Sequence, residues 1–399
     1  MGEKFYTPDG FNDMLPSVCT FQKDCEGKLR ELFALNGYKE IMTPGIEYCD
    51  IYTSTGFVAE EELYKLTDQK GRLLAIRYDG TVPAARFAAT SYKDYELPVR
   101  LSYIENMYRF NQMGGGKQSG FTQAGVELLG AKGPAADAEV IALAISSVRE
   151  MGIEDLQISI GQVKFIECLA KQMKIGKEDL AIIRDAVEAK DSVTIDKTAD
   201  RLGLADEDRK TLLMLPECQG QYDVIDSFME RVTDDTAKEV LQYLKEVLDC
   251  LDEYGVLKYI TVDPGLIGSI DYYTGIIFKG YTYEVGFPIV SGGRYDNVVA
   301  RFGREATAVG FSLSITLAVT ALMRQDAEMP DPAPDAVVGY DRNIEGARAS
   351  AIALAQTLRA DGTKVVFDPT AMGEEELEAY ADREGIDAVF FVNEGGLKA

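Results

Sequence analysis

Histidine is absent from all 399 residues. A chain without imidazole has no Ser-His-Asp triad, no Cys-His pair and no His-ligated metal, so proton transfer would fall to Asp, Glu, Lys, Tyr or Cys. Cysteine is sparse. Cys19, Cys25, Cys49, Cys168, Cys218 and Cys250 are scattered with no Cys-x-x-Cys pair, which removes structural zinc and dithiol redox motifs. Dispersed cysteines and a start, MGEKFYTPDGFNDMLP, without an apolar export core predict a reduced, cytoplasmic protein. Positive charge is also short, with 41 Lys and Arg against 66 Asp and Glu, a net charge of −25. So acidic a chain repels polyphosphate backbones, and no nucleic-acid partner is expected. One uncharged run, Ala306 to Met323, reaches the lower edge of bilayer length. Its Thr, Ser and Gly content reads instead as a buried strand followed by a buried helix, so no membrane association is expected. Nothing calls for a metal or an organic cofactor.

What is present is a soluble globular composition, 46% apolar and 27% charged, in a chain too long for one ordinary core. Residues 17–36 have helical spacing (Phe21, Leu29, Leu32, Phe33) with Gly37 placed as a stop, and Tyr38 to Pro44 reads as a strand. Strand patterns over 73–78, 98–110 and 120–129 and helix patterns over 82–89 and 135–151 follow. The alternating pair 98–110 and 120–129 predicts an antiparallel hairpin with a long loop. Between about 170 and 253, Leu, Ile, Glu, Lys and Asp dominate and Gly is sparse, which predicts a helical insertion. Strands resume near Tyr259. The first domain is therefore expected over 1–328, a Pro-rich linker over 329–335 and an acidic βαβαβ domain over 336–399.

Several polar residues sit in otherwise apolar strand patterns. IRYDGT offers Asp79 and Thr81, MYRF offers Arg109, FTQAGVE offers Gln123 and Glu127, and DYYTG offers Asp271, Tyr272 and Tyr273. Gln123 and Glu127 lie four apart and so share a strand face. Singly, each is an ordinary buried carboxylate or amide with a nearby partner. Together they could satisfy an amino acid: Asp79, Thr81 and Gln123 its ammonium, Glu127 and Tyr273 a polar side chain. GGGKQS (114–119) has a phosphate-loop look but fails the pattern, because Gln118 stands where Ser or Thr belongs and no helix follows.

These segments resemble the class II aminoacyl-tRNA synthetases, specifically the histidyl-tRNA synthetase group. The likeness runs in order from TPDGFNDMLP to about residue 325. It includes DGT at 79–81 (Glu-Gly-Thr in the family), Arg109, FTQAGVELLG, DYYTG and GGRYD. It implies an α+β fold: an antiparallel sheet with flanking helices, a helical insertion and a small C-terminal α/β domain. It also implies that Asp79, Thr81, Arg109, Gln123, Glu127, Tyr272 and Tyr273 bind histidine.

The departures are informative. Gly268 stands where the family's histidine loop has an arginine that takes part in activation. Ser314-Ile315-Thr316-Leu317 stands where motif 3 has Gly-Leu-Glu-Arg. Asn111 replaces a Glu, and Lys117 falls where a loop arginine is expected. Adenylate formation needs cations aimed at phosphates, and Gly or Leu supplies none. Aminoacylation is therefore expected to be absent. The pattern is similar to that of the non-catalytic regulatory subunits of ATP phosphoribosyltransferase, synthetase paralogues of histidine biosynthesis. That resemblance implies a hetero-oligomer with the short-form catalytic subunit, self-association as a dimer, histidine as ligand and feedback regulation. A histidine-free chain can be translated when histidine is scarce, though compositional drift accounts for the absence equally well. A working histidyl-tRNA synthetase, or a paralogue with another partner, is the alternative.

Overall fold

The computed structural model describes residues 6–54, 58–110, 118–268, 273–330, 332–394 and 396–398. The chain divides into two compact units, Met1–Glu328 and Met329–Ala399.

In the first unit, helix α1 (Pro16–Leu35) opens on a proline, whose missing N–H costs nothing at that position. Gln22, Cys25, Glu26, Leu29 and Phe33 are buried along one stripe, and Gly37, in the left-handed region at φ 79°, ends the helix. Strand β1 is only Lys39–Glu40, shorter than the alternation from Tyr38 to Pro44 predicts. The cause is local: the Glu105 carboxylate accepts both the N–H and the hydroxyl of Thr43, drawing the chain out of the ladder. There follow β2 (Ile46–Tyr48), the short helix α2 (Asp50–Thr53), β3 (Lys65–Thr67), β4 (Leu73–Ile76) and α3 (Thr81–Ala89). Next come β5 (Val99–Tyr108), β6 (Gly120–Leu129), α4 (Pro134–Glu150) and β7 (Gln157–Gln162).

Six helices then form the insertion: α5 (Val163–Gln172), α6 (Lys177–Glu188), α7 (Ser192–Leu202), α8 (Asp206–Met214), α9 (Tyr222–Met229) and α10 (Asp235–Glu253). It begins before residue 170 because the Gln162 side chain caps the Lys164 N–H and starts α5 there. Strands β8 (Ile260–Val262), β9 (Ile276–Tyr281), β10 (Val290–Arg294) and β11 (Ala308–Ser314), and helix α11 (Ile315–Arg324), complete the unit. The uncharged run at 306–323 is thus a strand and a helix. No described helix is long and apolar enough to cross a membrane.

Eight strands form one sheet in the order β1-β5-β6-β11-β10-β9-β7-β8. The central strands are antiparallel, and only the edge pairs β1/β5 and β7/β8 run parallel. Strands β2, β4 and β3 make a separate small sheet. The period-two alternation sorts the two faces of the large sheet. Ala124, Val126 and Leu128 of β6 with Val309, Phe311 and Leu313 of β11 enter a core shared with α1, α4, α10 and α11. The intervening residues, Gln123, Gly125, Glu127, Gly310, Ser312 and Ser314, lie on the opposite face. Alanines of α3 pack against Leu101, Leu129 and Tyr295 and close one end of that face.

A buried ion pair ties this frame to the insertion. Arg294 on β10 donates to Asp137 on α4 at 2.9 Å, and Tyr243 on α10 donates to the other Asp137 oxygen at 2.6 Å. The Arg294 carbonyl in turn accepts the Thr274 N–H at 2.7 Å, anchoring the segment that leads into β9.

The second unit carries β12 (Ala336–Tyr340), α12 (Ala347–Ala360), β13 (Val365–Phe367), α13 (Glu374–Glu384), β14 (Ala388–Asn393) and β15 (Gly396–Lys398), in sheet order β13-β12-β14-β15. The first three are parallel. Every residue of β12 is buried because α12 covers one face and α13 the other. The antiparallel strand β15 has no counterpart in the βαβαβ reading.

Candidate functional site

The polar face of the large sheet carries a cavity of about 170 Å³. Its floor is set by register. Gly310 pairs with Gly293 and with Glu127, and Ser312 pairs with Ser291 and with Gly125, so small residues of β10 and β11 lie side by side beneath the opening. On one flank stands β6 with Gln123. On the other stands β9 with Ile277 and Lys279.

Asp79, Thr81, Arg109, Gln123 and Tyr273 all line this cavity. Asp79 lies just before α3. Burial pushes its carboxyl up to about 7. The nearby Arg109 guanidinium opposes this, as do the Val82 and Thr81 backbone N–H groups at the helix start. Arg109 follows β5. Its Nε donates to the Tyr78 carbonyl at 3.2 Å, and its guanidinium lies over the rings of Tyr78 (4.6 Å) and Phe121 (5.0 Å). Glu127 sits one layer back and contributes no lining surface. It is 1% exposed, accepts the Tyr295 hydroxyl through Oε2, and lies so close to Gly310 that a Cβ there would collide with its carboxylate. Burial raises it to about 8, the Tyr295 and Thr81 hydroxyls act against that, and the Asp79 charge adds to it. Asp271 and Tyr272, like Asn111 and Lys117, lie outside the described residues.

Among the described residues, four buried side-chain polar atoms have no hydrogen-bond partner: Asp79 Oδ1, Gln123 Oε1, Glu127 Oε1 and the Tyr103 hydroxyl. They share one neighbourhood. Gln123, Glu127 and Tyr103 lie on adjacent strands, with Tyr103 opposite Gly125, and Asp79 is close enough to shift Tyr103 and Glu127. An unpaired buried polar atom costs about 1–3 kcal/mol. Three carboxylate or amide oxygens gathered beside one cavity therefore fit a ligand rich in N–H donors.

Sequence reasoning missed Tyr103, Tyr295, Lys279, Ser291 and Ser312. Tyr295 was within reach, since it belongs to the GGRYD motif, whereas the others become neighbours only through a register that no single strand reveals.

The positions where cations are lacking are filled by packing. Gly268 lines the cavity with φ 79°, a left-handed conformation, and a Cβ there would meet Ile277. Leu317 is partly buried and packs against the main core. The Thr316 hydroxyl accepts the Thr122 N–H at 2.9 Å, and Gln22, Thr122 and Asn106 complete a closed polar network beside it.

A mixed sheet with helices behind it, a polar cavity in front and a helical insertion before β9 define a class II synthetase-like architecture. The histidyl-tRNA synthetase family model matches residues 10–317. Proteins named ATP phosphoribosyltransferase regulatory subunit are similar over nearly the whole chain. That of Acetivibrio thermocellus is 40% identical, covering 98% of this chain and 93% of its own. That of Symbiobacterium thermophilum is 39% identical, covering 94% and 93%. A crystal structure of an ATP phosphoribosyltransferase regulatory subunit/histidyl-tRNA synthetase from Bacillus halodurans superimposes with a TM-score of 0.88 at 31% identity, covering 98% of this chain and 99% of that one. Histidyl-tRNA synthetase from Nostoc sp. shares the fold, with a TM-score of 0.82 at 20% identity over 98% and 92% of the two chains. The chain belongs to the ATP phosphoribosyltransferase regulatory subunits, a histidyl-tRNA synthetase-like family named for regulation and not for aminoacylation.

Proposed function

We propose that this chain is the regulatory partner of a short-form ATP phosphoribosyltransferase catalytic subunit in a cytoplasmic hetero-oligomer. In this reading it enables the first step of histidine biosynthesis, self-associates as a dimer, and binds free L-histidine in the cavity on its polar sheet face. The observation that carries the reading is a pairing. Unpaired buried acceptors are kept at Asp79, Gln123 and Glu127, while Gly268 and Leu317 supply no cation for phosphate.

Asp79, Thr81 and Gln123 accept or surround the ligand ammonium. Glu127, reached past Gly310 at the back of the cavity, and Tyr273 accept the imidazole N–H, Tyr295 holding the Glu127 carboxylate in place, and Arg109 completes the pocket. The ring-sandwiched Arg109 also offsets the Asp79 charge. A ligand bound in this chain alters catalysis in another only by its differential affinity for two states of the assembly. Feedback therefore requires that histidine prefer the less active state.

The test is reconstitution with the catalytic subunit, followed by histidine titration of phosphoribosyl transfer and of binding. Expected are activity that depends on this chain, inhibition by histidine, and loss of that inhibition when Glu127 is replaced. An ATP–pyrophosphate exchange assay with histidine should stay at background, and exchange above background would overturn the regulatory reading.

A further inference from the structure

The acceptors described so far account for the ammonium and the side chain of an amino acid, but not for its carboxylate. Arg109 is already engaged by the Tyr78 carbonyl and two aromatic faces, on the Gln123 side of the cavity. On the opposite flank, one transverse row of the sheet carries Lys279 on β9, Ser291 on β10 and Ser312 on β11 as successive cross-strand neighbours. All three line the cavity. Among the described residues, none of their side chains makes a hydrogen bond or ion pair. Cross-strand neighbours hold their Cβ atoms roughly 5 Å apart, so an ammonium and two hydroxyls converge there on one small region. Strands β6 and β9 are three spacings apart, about 14 Å between backbones. Side chains reaching inward from each leave a gap of amino-acid size, with acceptors at one end and donors at the other.

We infer that Lys279, with the Ser291 and Ser312 hydroxyls, forms a carboxylate subsite that fixes the polarity of the bound ligand. This rests on the reading of the cavity as an amino-acid site. Its consequence is selectivity for the free α-carboxylate. The amino alcohol and the amide of the same side chain offer Lys279 only a neutral acceptor in place of an anion and bind weakly. A sensor with this polarity responds to the free amino acid and ignores derivatives whose head group is neutral.

The experiment is calorimetric titration of the full-length protein with L-histidine, L-histidinol and L-histidinamide, using wild type, K279M, K279R and the S291A/S312A double variant, with thermal melts to verify folding. Wild type should prefer L-histidine over both analogues by at least about tenfold, the scale of one charge-assisted hydrogen bond. K279M should lose that factor for histidine alone, so that the three ligands bind alike. K279R should keep the preference and S291A/S312A should reduce it. If K279M does not fold, K279R against the double serine variant carries the same comparison. Equal binding of histidine and histidinol by wild type, or an undiminished preference in K279M, overturns the subsite and leaves the amino-acid site standing. Failure of wild type to bind histidine overturns both. Inorganic phosphate titrated alone should bind negligibly. Lys279-dependent phosphate binding as tight as that of histidine would assign the row to a free anion and overturn the carboxylate assignment.

Discussion

Replacing Glu127 with Gln should push stability and binding in opposite directions. In the ligand-free protein this carboxyl is fully enclosed and raised from 4.5 to about 8, chiefly by loss of solvation. Between those values the native state keeps a proton that the unfolded chain has released. Stability therefore falls as pH rises through that window, and the full penalty is present above about pH 8. At about 1.4 kcal/mol per pH unit the penalty is on the order of 5 kcal/mol as a ceiling. The substituted amide cannot ionise, so urea unfolding of E127Q should show a flatter stability profile between pH 5 and 8.5 and greater stability than wild type at the upper end. Binding should move the other way. Tyr295 donates to Glu127 Oε2, so in the variant the amide carbonyl is retained there and the NH2 group is turned toward the ligand. A donor then meets the imidazole N–H, and loss of a charge-assisted bond worth roughly 1.5–3 kcal/mol weakens histidine by about 10- to 150-fold. An affinity within twofold of wild type would refute the acceptor role, and an unchanged pH slope would refute the burial argument.

Three further outcomes are expected. Asp79, raised to about 7 by burial, must be ionised to accept an ammonium. Histidine affinity should therefore fall as pH drops below about 7, with protons released on binding there; calorimetry in buffers of different ionisation enthalpy measures the release, and D79N should reduce it, leaving the proton that Glu127 gives up. Gly310→Ala should drive a methyl group into the Glu127 carboxylate and the Val126 carbonyl, so binding should drop about as far as in E127Q while the circular dichroism spectrum is kept. Asp137→Asn leaves the buried Arg294 with only the half-buried Asp296 carboxylate, 3.2 Å away, as counter-charge and should cost about 3 kcal/mol in urea unfolding, whereas Y243F should cost about 1.5 kcal/mol, the low end for a hydrogen bond to a charged group.

Much of the frame was legible in the chain. Alternation in 98–110 and 120–129 gave the central hairpin, and the uncharged run at 306–323 gave β11 and α11. Local hydrogen bonds erased part of the pattern elsewhere: Glu105 capturing Thr43 cut β1 to two residues, and Gln162 moved the start of the insertion. The site was legible where one strand carried the information, as with Gln123 and Glu127. It was hidden where strands distant in sequence had to be aligned. Lys279, Ser291 and Ser312 share a row only because β9, β10 and β11 pair in one register, and Glu127 stands behind the cavity wall because Gly310 lies opposite it.

The way Gly268 and Leu317 are seated makes the loss of activation directional. At 268 the backbone has settled where a side chain is strained and meets Ile277, and at 317 an aliphatic chain packs against the main core. Reintroducing either arginine alone incurs a packing cost and returns no chemistry, because the other cation is still missing. The two sites act as a ratchet: neutral drift can leave them, and no single substitution leads back to a synthetase.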